Sequence, residues 1–69
     1  TASAEALKLH DAAAELLATV MASRDHVLIR DGVREIGKAL SKAQALGRVG
    51  APFAAKIQVM HNAALARAA

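Results

Sequence analysis

Apolar residues recur every three or four positions along most of this chain, a spacing that predicts α-helices. No stretch alternates apolar and polar residues over the length of a β-strand. The helical spacing covers three segments, over residues 3–22, 27–46 and 52–68. Helices joined by short connections pack as antiparallel neighbours. The pattern therefore predicts an all-α fold, a small three-helix bundle of up-down-up topology, in one domain over residues 1–69.

Each predicted helix has a stripe of apolar residues for the core of the bundle. The stripes are Leu9, Ala13, Leu16, Leu17, Val20 and Met21 in the first helix, Ile29, Val33, Ile36, Leu40 and Ala43 in the second, and Phe53, Ile57, Met60 and Ala64 in the third. Small residues lie on the same faces, among them Ala13, Gly32, Ala43 and Ala64. We expect the helix backbones to approach closely at these positions, because small side chains keep the axes close together.

The predicted helix ends have residues that commonly start and stop helices. Ser3 and Asp25 are suited to cap the first and second helices, because their side chains can accept a hydrogen bond from a backbone N–H of the first turn. The segment 47–50 contains two glycines and is typical of a helix stop and turn. Pro52 suits the first turn of the third helix.

A dipeptide in the second segment permits a different structure. Asp31-Gly32 lies between apolar residues and is typical of a β-hairpin turn. Gly32 and Gly37 also each disfavour a helix by about 1 kcal/mol relative to alanine. The apolar stripe continues on both sides of the dipeptide, however, so we favour a helix over the hairpin, with a helix that begins only at Asp31 as an intermediate.

The composition makes the predicted core thin. Hydrophobic residues form 55% of the chain, but many of them are alanines, which bury little surface each, and Phe53 is the only aromatic residue. A single core in a chain of this length rarely supplies more than about 3–5 kcal/mol of stability, and natural chains of this size often oligomerise. We therefore expect dimerisation to complete the bundle.

Several large apolar residues lie outside the three stripes, where a single thin core has no room for them. They are Leu7, Leu28, Leu46, Val59 and Leu65. Exposed apolar patches mark surfaces that bind partners. The alternative is that wide helix faces absorb about half of these residues. We interpret the five residues as a surface for another protein chain, in the first place a second copy of this one.

Basic residues form a row along the second segment, and the net charge of the chain is +3. The row consists of Arg30, Arg34, Lys38 and Lys42, and Arg24 and Arg48 extend it at either end. Such a row can follow a phosphate backbone, so nucleic-acid binding is the second hypothesis. Two carboxylates, those of Asp31 and Glu35, lie within the row and weaken its field. A solvated helix face is the ordinary explanation of such a pattern.

Charge is also divided among the helices. The first carries three carboxylates and one lysine, while the third carries Lys56 and Arg67 and no carboxylate. Opposite charges on different helices can orient the bundle, or orient one subunit on its twin. A helix-turn-helix in which the third helix offers Gln58 and Asn62 to adenine is a weaker alternative.

Residues for catalysis or metal binding lack the required grouping. The chain has no cysteine, and His10, His26 and His61 are far apart, without the spacing of metal ligands. No serine or threonine has an evident base and acid nearby in the sequence, and the glycines do not form a phosphate-binding loop. We expect no enzymatic activity, cofactor, metal or small-molecule substrate, no membrane span, and a cytoplasmic location.

The sequence thus predicts a small helical protein–protein interaction module that associates with itself, as a dimer, and acts as an adaptor, an inhibitor or an assembly subunit. A nucleic-acid-binding regulator that uses the basic row is the first alternative. A structural subunit of a filament or shell is the second, since alanine-rich helices pack well in arrays.

Overall fold

Three helices form at the predicted places, and no predicted boundary is wrong by more than one residue. The computed structural model describes residues 1–69. Helix α1 spans Ala2–Ala22, α2 spans His26–Ala45 and α3 spans Ala51–Ala68. Each helix packs against both of the others, and there is no strand. The prediction of a small all-α three-helix bundle is confirmed.

The first two helices begin at side-chain caps. The Oδ1 atom of Asp25 accepts a hydrogen bond from the backbone N–H of Val27 at 2.9 Å, as predicted for the start of α2. At the start of α1 the cap is Thr1, whose Oγ1 accepts from the N–H of Ala4 at 3.1 Å. The prediction that Ser3 caps α1 is wrong, because the alanine-rich sequence extends the helix back to Thr1, whose hydroxyl satisfies a free N–H of the first turn.

Glycines allow the turn between α2 and α3. Gly47 follows the last turn of α2 with a φ of +68°, in the left-handed region that favours glycine. A Cβ atom at Gly50 would overlap the carbonyl oxygen of Ala43. These two positions return the chain along α2 within a few residues, so that α3 runs antiparallel to α2 and parallel to α1.

The residues that face the centre of the bundle repeat every seven positions. They are Ala6, Ala13 and Val20 in α1, Ile29, Ile36 and Ala43 in α2, and Gly50, Ile57 and Ala64 at the start of and along α3, and all are buried. A seven-residue repeat keeps one seam of a helix against its neighbours along its whole length and is typical of left-handed bundles. The result is a rod with extents of 36 × 16 × 13 Å.

The core is built mostly of alanine. Of the eleven buried hydrophobic residues six are alanines, and the other five are Val20, Ile29, Ile36, Leu40 and Ile57. Leu9, Leu16, Leu17, Val33 and Met60 pack against this cluster and are partly buried. Met21, which we expected in the core, is 46% exposed. It lies about 100° around α1 from Val20 and so misses the seam that contacts the other helices.

The hairpin alternative is wrong, because Asp31 and Gly32 lie inside α2. Gly32 instead serves the packing of two helices. It is buried, and a Cβ atom at this position would overlap Cγ2 of Val20 on α1. The absence of a side chain therefore lets the backbone of α2 approach Val20 directly.

Replacing Gly32 with alanine tests this contact. In an unconstrained helix the change would stabilise by up to about 1 kcal/mol, but here we expect Gly32→Ala to lower the free energy of unfolding by about 1–3 kcal/mol, because the added methyl group collides with Val20. Urea unfolding followed by circular dichroism measures the difference.

The matched control removes Cγ2 of Val20, the atom that the added methyl group would overlap. In a Val20→Ala background the same Gly32→Ala change should lose most of its destabilising effect, since the two substitutions share one contact. A Gly32→Ala protein as stable as the original would contradict the close approach.

Candidate interaction surface

More large apolar side chains are exposed than are fully buried. Seven of them are between 46% and 67% exposed, namely Leu7, Met21, Val27, Leu28, Val49, Val59 and Leu65. The accessible surface of the chain is 4462 Å², about a tenth more than the roughly 4,100 Å² typical of a monomer of this mass. An elongated molecule is expected to have such an excess, and the seven side chains add apolar area to the surface.

Four of the five residues predicted for a partner surface are exposed, namely Leu7, Leu28, Val59 and Leu65. The fifth, Leu46, is half-buried. It follows the last turn of α2 and, together with Leu9 of α1, lines an open groove. Sequence reasoning missed Met21, Val27 and Val49, although Val27 lies two positions before the buried Ile29, on the opposite side of the helix.

One ring contact identifies the part of α1 that faces α3. The imidazole of His10 meets the ring of Phe53 edge-on, with centroids 6.2 Å apart. Leu7 and Ala14 lie one turn before and one turn after His10 on the same part of the helix surface. Both therefore border α3.

A hydrogen bond at the other end of the rod fixes the register of the two helices. Nη2 of Arg67, near the end of α3, donates to the carbonyl oxygen of Ser23, just after α1, at 2.6 Å. The residue numbers differ by 44 in this pair and by 43 in the pair of His10 and Phe53. Residues of α1 and α3 that lie at the same height along the rod are therefore 43 or 44 positions apart.

The outward surface between these two parallel helices is mainly apolar, and we call it the α1–α3 side. At about 100° per residue, the residues that point outward between the two helices are Ser3, Leu7, Asp11, Ala14, Ala18 and Met21 from α1, and Pro52, Lys56, Val59 and Ala63 from α3. Three of the seven exposed large apolar residues belong to this side. Asp11 and Lys56 are its exposed charged residues, and the partly buried Arg67 borders it.

The outward face of α2 is charged instead. Arg34 donates from Nη2 to Oδ1 of Asp31 at 3.2 Å, and Lys38 donates from Nζ to Oε1 of Glu35 at 3.4 Å. The two central cations of the predicted basic row are thus paired within the same helix, on an exposed face.

The remaining members of the row have no ion-pair partner, and they are far apart. Arg30 and Lys42 lie near opposite ends of α2, while Arg24 precedes the helix and Arg48 follows it. The six basic residues therefore spread along the whole rod, with two carboxylates at its middle. This arrangement gives a weak local field for a polyanion.

The polar residues singled out in the other helices are engaged locally. Nε2 of Gln58 donates to Oδ1 of Asn62 at 3.1 Å, so the pair suggested for base contacts is satisfied within α3. Nδ1 of His10 lies 3.1 Å from Oδ1 of Asp11. The structure holds no group of three metal-ligating side chains.

Two open grooves run between the helices. The larger, of about 470 Å³, lies between α1 and α2 and is lined by Glu5, Lys8, Leu9, Lys42, Ala45 and Leu46. The smaller, of about 420 Å³, lies between α2 and α3 and includes Gln44, Ala54 and Gln58. Both are open to solvent along their length, whereas sites for small molecules usually enclose most of the ligand. None of the three helices combines the length and apolar character needed to cross a bilayer.

Comparison with known proteins gives no match: no protein-family model, no curated protein and no solved structure is significantly similar to this chain.

The charge pattern of α2 predicts little affinity for nucleic acid. We expect no saturable binding of labelled duplex or single-stranded DNA at about 0.15 M salt, because Asp31 and Glu35 neutralise the centre of the basic row. Fluorescence anisotropy titrations at several salt concentrations measure the binding.

Two double variants make this test specific. If a polyanion used the row, Arg30→Ala/Lys42→Ala would reduce the slope of log affinity against log salt by about two, and Arg34→Ala/Lys38→Ala would reduce it less. Tight binding with that response would make the basic row the functional surface.

Proposed function

We propose that this protein is a small helical interaction module that associates with itself as a dimer. The observation that carries the proposal is the balance of apolar side chains, with seven large ones exposed and only five larger than alanine buried. Burial of about 25 cal/mol per Å² of apolar surface makes the covering of such side chains the strongest available driving force. A second copy supplies that cover without requiring any other molecule.

The character of the individual helices supports the same function. A helix that packs against a protein core on one side only is normally apolar on that face and polar on the rest. On α3, the exposed Pro52, Ala55, Val59 and Ala66 are all apolar, although they point away from the core. A helix that is apolar on several sides is typical of one that is covered on several sides.

The charged face of α2 then serves a different purpose. In a dimer formed through other surfaces, this charged face stays in water. There it keeps the assembly soluble and can bind a further protein. We infer that the module acts as an adaptor, an inhibitor or an assembly subunit in the cytoplasm. The absence of cysteine suits a reducing compartment.

Self-association is tested by mass and by stability over about a hundredfold range of concentration. We expect sedimentation equilibrium to give twice the chain mass of 7.1 kDa at the higher concentrations. The midpoint of thermal unfolding should rise with concentration, because association with the folded state stabilises that state.

Two other results would change the conclusion. A species of 7.1 kDa throughout, with a midpoint independent of concentration, contradicts the proposed function. Species that keep growing with concentration, seen as filaments or shells by electron microscopy, replace the dimer with an array-forming subunit.

A further inference from the structure

We propose that the α1–α3 side binds a second copy of this chain, in a dimer whose twofold axis runs parallel to the long axis of the rod. In that arrangement α1 of one copy lies against α3 of the other, and all four helices of the interface run in the same direction. The inference rests on the proposed self-association. It adds which surface is buried, the relative direction of the two copies and an ion pair between Asp11 and Lys56 across the interface.

The size of the molecule favours a long side of the rod. A stable interface buries about 800 Å² of accessible surface on each partner. The broad side of this rod measures 36 by 16 Å, whereas an end measures 16 by 13 Å. A long side therefore offers almost three times the area of an end. Four exposed apolar residues lie near the α1–α2 end, namely Met21, Val27, Leu28 and Leu65, but the end offers them little surrounding surface.

The distribution of charge selects one side among the three. The outward face of α2 carries six charged residues, namely Arg30, Asp31, Arg34, Glu35, Lys38 and Lys42. The side between α1 and α2 would bring most of these charges out of water. The side between α2 and α3 would bring Arg30 and Arg34 out of water, and α3 has no carboxylate to neutralise them. Both costs oppose association. The α1–α3 side has exposed charges only at Asp11 and Lys56. Its other polar residues are Ser3 and the partly buried Arg67, whose guanidinium is bonded to the carbonyl oxygen of Ser23.

The register within one chain brings these two charges to nearly the same height. Lys56 lies at the height of residues 12–13 of α1, by the offsets of 44 and 43 found above. Asp11 is one or two residues away, which is about 2–3 Å along the helix. No ion pair links the two residues within the chain. Asp11 contacts His10 through Oδ1, so its Oδ2 atom and the ammonium group of Lys56 remain available to a neighbour.

A twofold axis parallel to the rod preserves height, so it places Asp11 of each copy opposite Lys56 of the other. The interface then contains two ion pairs related by symmetry, flanked by Leu7, Met21 and Val59. Such charge complementarity fixes the partner and the register of an interface.

An antiparallel dimer pairs the charges less well. An axis perpendicular to the rod would set α1 against α1 and α3 against α3. Asp11 lies next to the middle of α1, which spans Ala2–Ala22. The two copies of Asp11 would then meet near the centre of the interface, and so would the two copies of Lys56. Opposed like charges destabilise an interface.

Reversing the charges tests the ion pair. We expect Lys56→Glu and Asp11→Lys each to raise the dissociation constant of the dimer about tenfold or more. The double variant Asp11→Lys/Lys56→Glu should return it to within about threefold of the original, because the pair is restored with its signs exchanged. The double change Glu35→Lys/Lys38→Glu on α2 is the control, and it should leave the dimer unchanged.

Two valines with equal exposure test the apolar part of the surface. Val59 is 67% exposed and belongs to the α1–α3 side, while Val27 is 65% exposed and belongs to α2. Val59→Glu should weaken the dimer at least tenfold, by about the effect of burying an unpaired charge. Val27→Glu should not change it. Circular dichroism of each variant checks that the helices remain.

Spin labels test the direction. The chain has no native cysteine, so Ala4→Cys and Ala22→Cys each provide a single attachment site, near opposite ends of α1. The parallel dimer gives distances between copies of about 20 Å, or two helix diameters, at both ends. An antiparallel dimer whose axis passes the middle of α1 gives at least about 27 Å at both, from 18 residues of helix at about 1.5 Å each.

The outcomes separate this inference from the proposed function. A monomer at every concentration overturns both. A dimer that survives Val59→Glu and both charge reversals overturns the inference and leaves self-association standing. Long distances at both label positions overturn the parallel direction. Weakening by the single charge reversals, rescue by the double variant and short distances at both ends together establish the dimer.

Discussion

Close approach of the helix backbones is the constraint on which the rest of this structure depends. Six alanines occupy buried positions, and Gly32 leaves room for Val20 where α1 and α2 meet. Small residues along the seam draw the axes together, and the seven-residue repeat keeps them together along the whole rod. A bundle packed this closely has little interior volume. Most of its large apolar side chains must therefore lie at the margins of the seam or outside it.

The same constraint links the fold to its candidate surface. Leu7, Val59 and Leu65 remain in contact with water. The chain gains tight backbone packing and forgoes much of the hydrophobic stabilisation that its own composition could supply. In the proposed dimer, burial against a second copy recovers part of that stabilisation, so the exposed apolar residues and the alanine core have the same cause.

Helical periodicity was sufficient to predict the fold, because the apolar stripes, the Asp25 cap and the glycines of the turn all indicate the same three elements. Periodicity also identified Ala13, Gly32, Ala43 and Ala64 as contact positions, and all four are buried. It could not tell which apolar residues at the edge of a stripe are covered. Met21 was expected in the core and is exposed, and Leu46 was expected on the surface and is half-buried, because their exposure depends on where the neighbouring helices lie and end. The register between α1 and α3 was likewise invisible, since it depends on the contacts of His10 with Phe53 and of Arg67 with Ser23, which are distant in sequence.

Helix α3 is anchored unequally at its two ends. Near its last turn, the guanidinium of Arg67 is bonded to the main chain at Ser23. Its first turn begins at Gly50, with no side chain to cap it. The turn itself holds that end, because only residues 46–50 separate α2 from α3 and Gly50 packs against the carbonyl oxygen of Ala43. Helix α3 is thus held by a short turn at one end and by a single side-chain hydrogen bond at the other. Loss of the guanidinium of Arg67 would free only the latter, so local fraying there would leave the glycine turn in place.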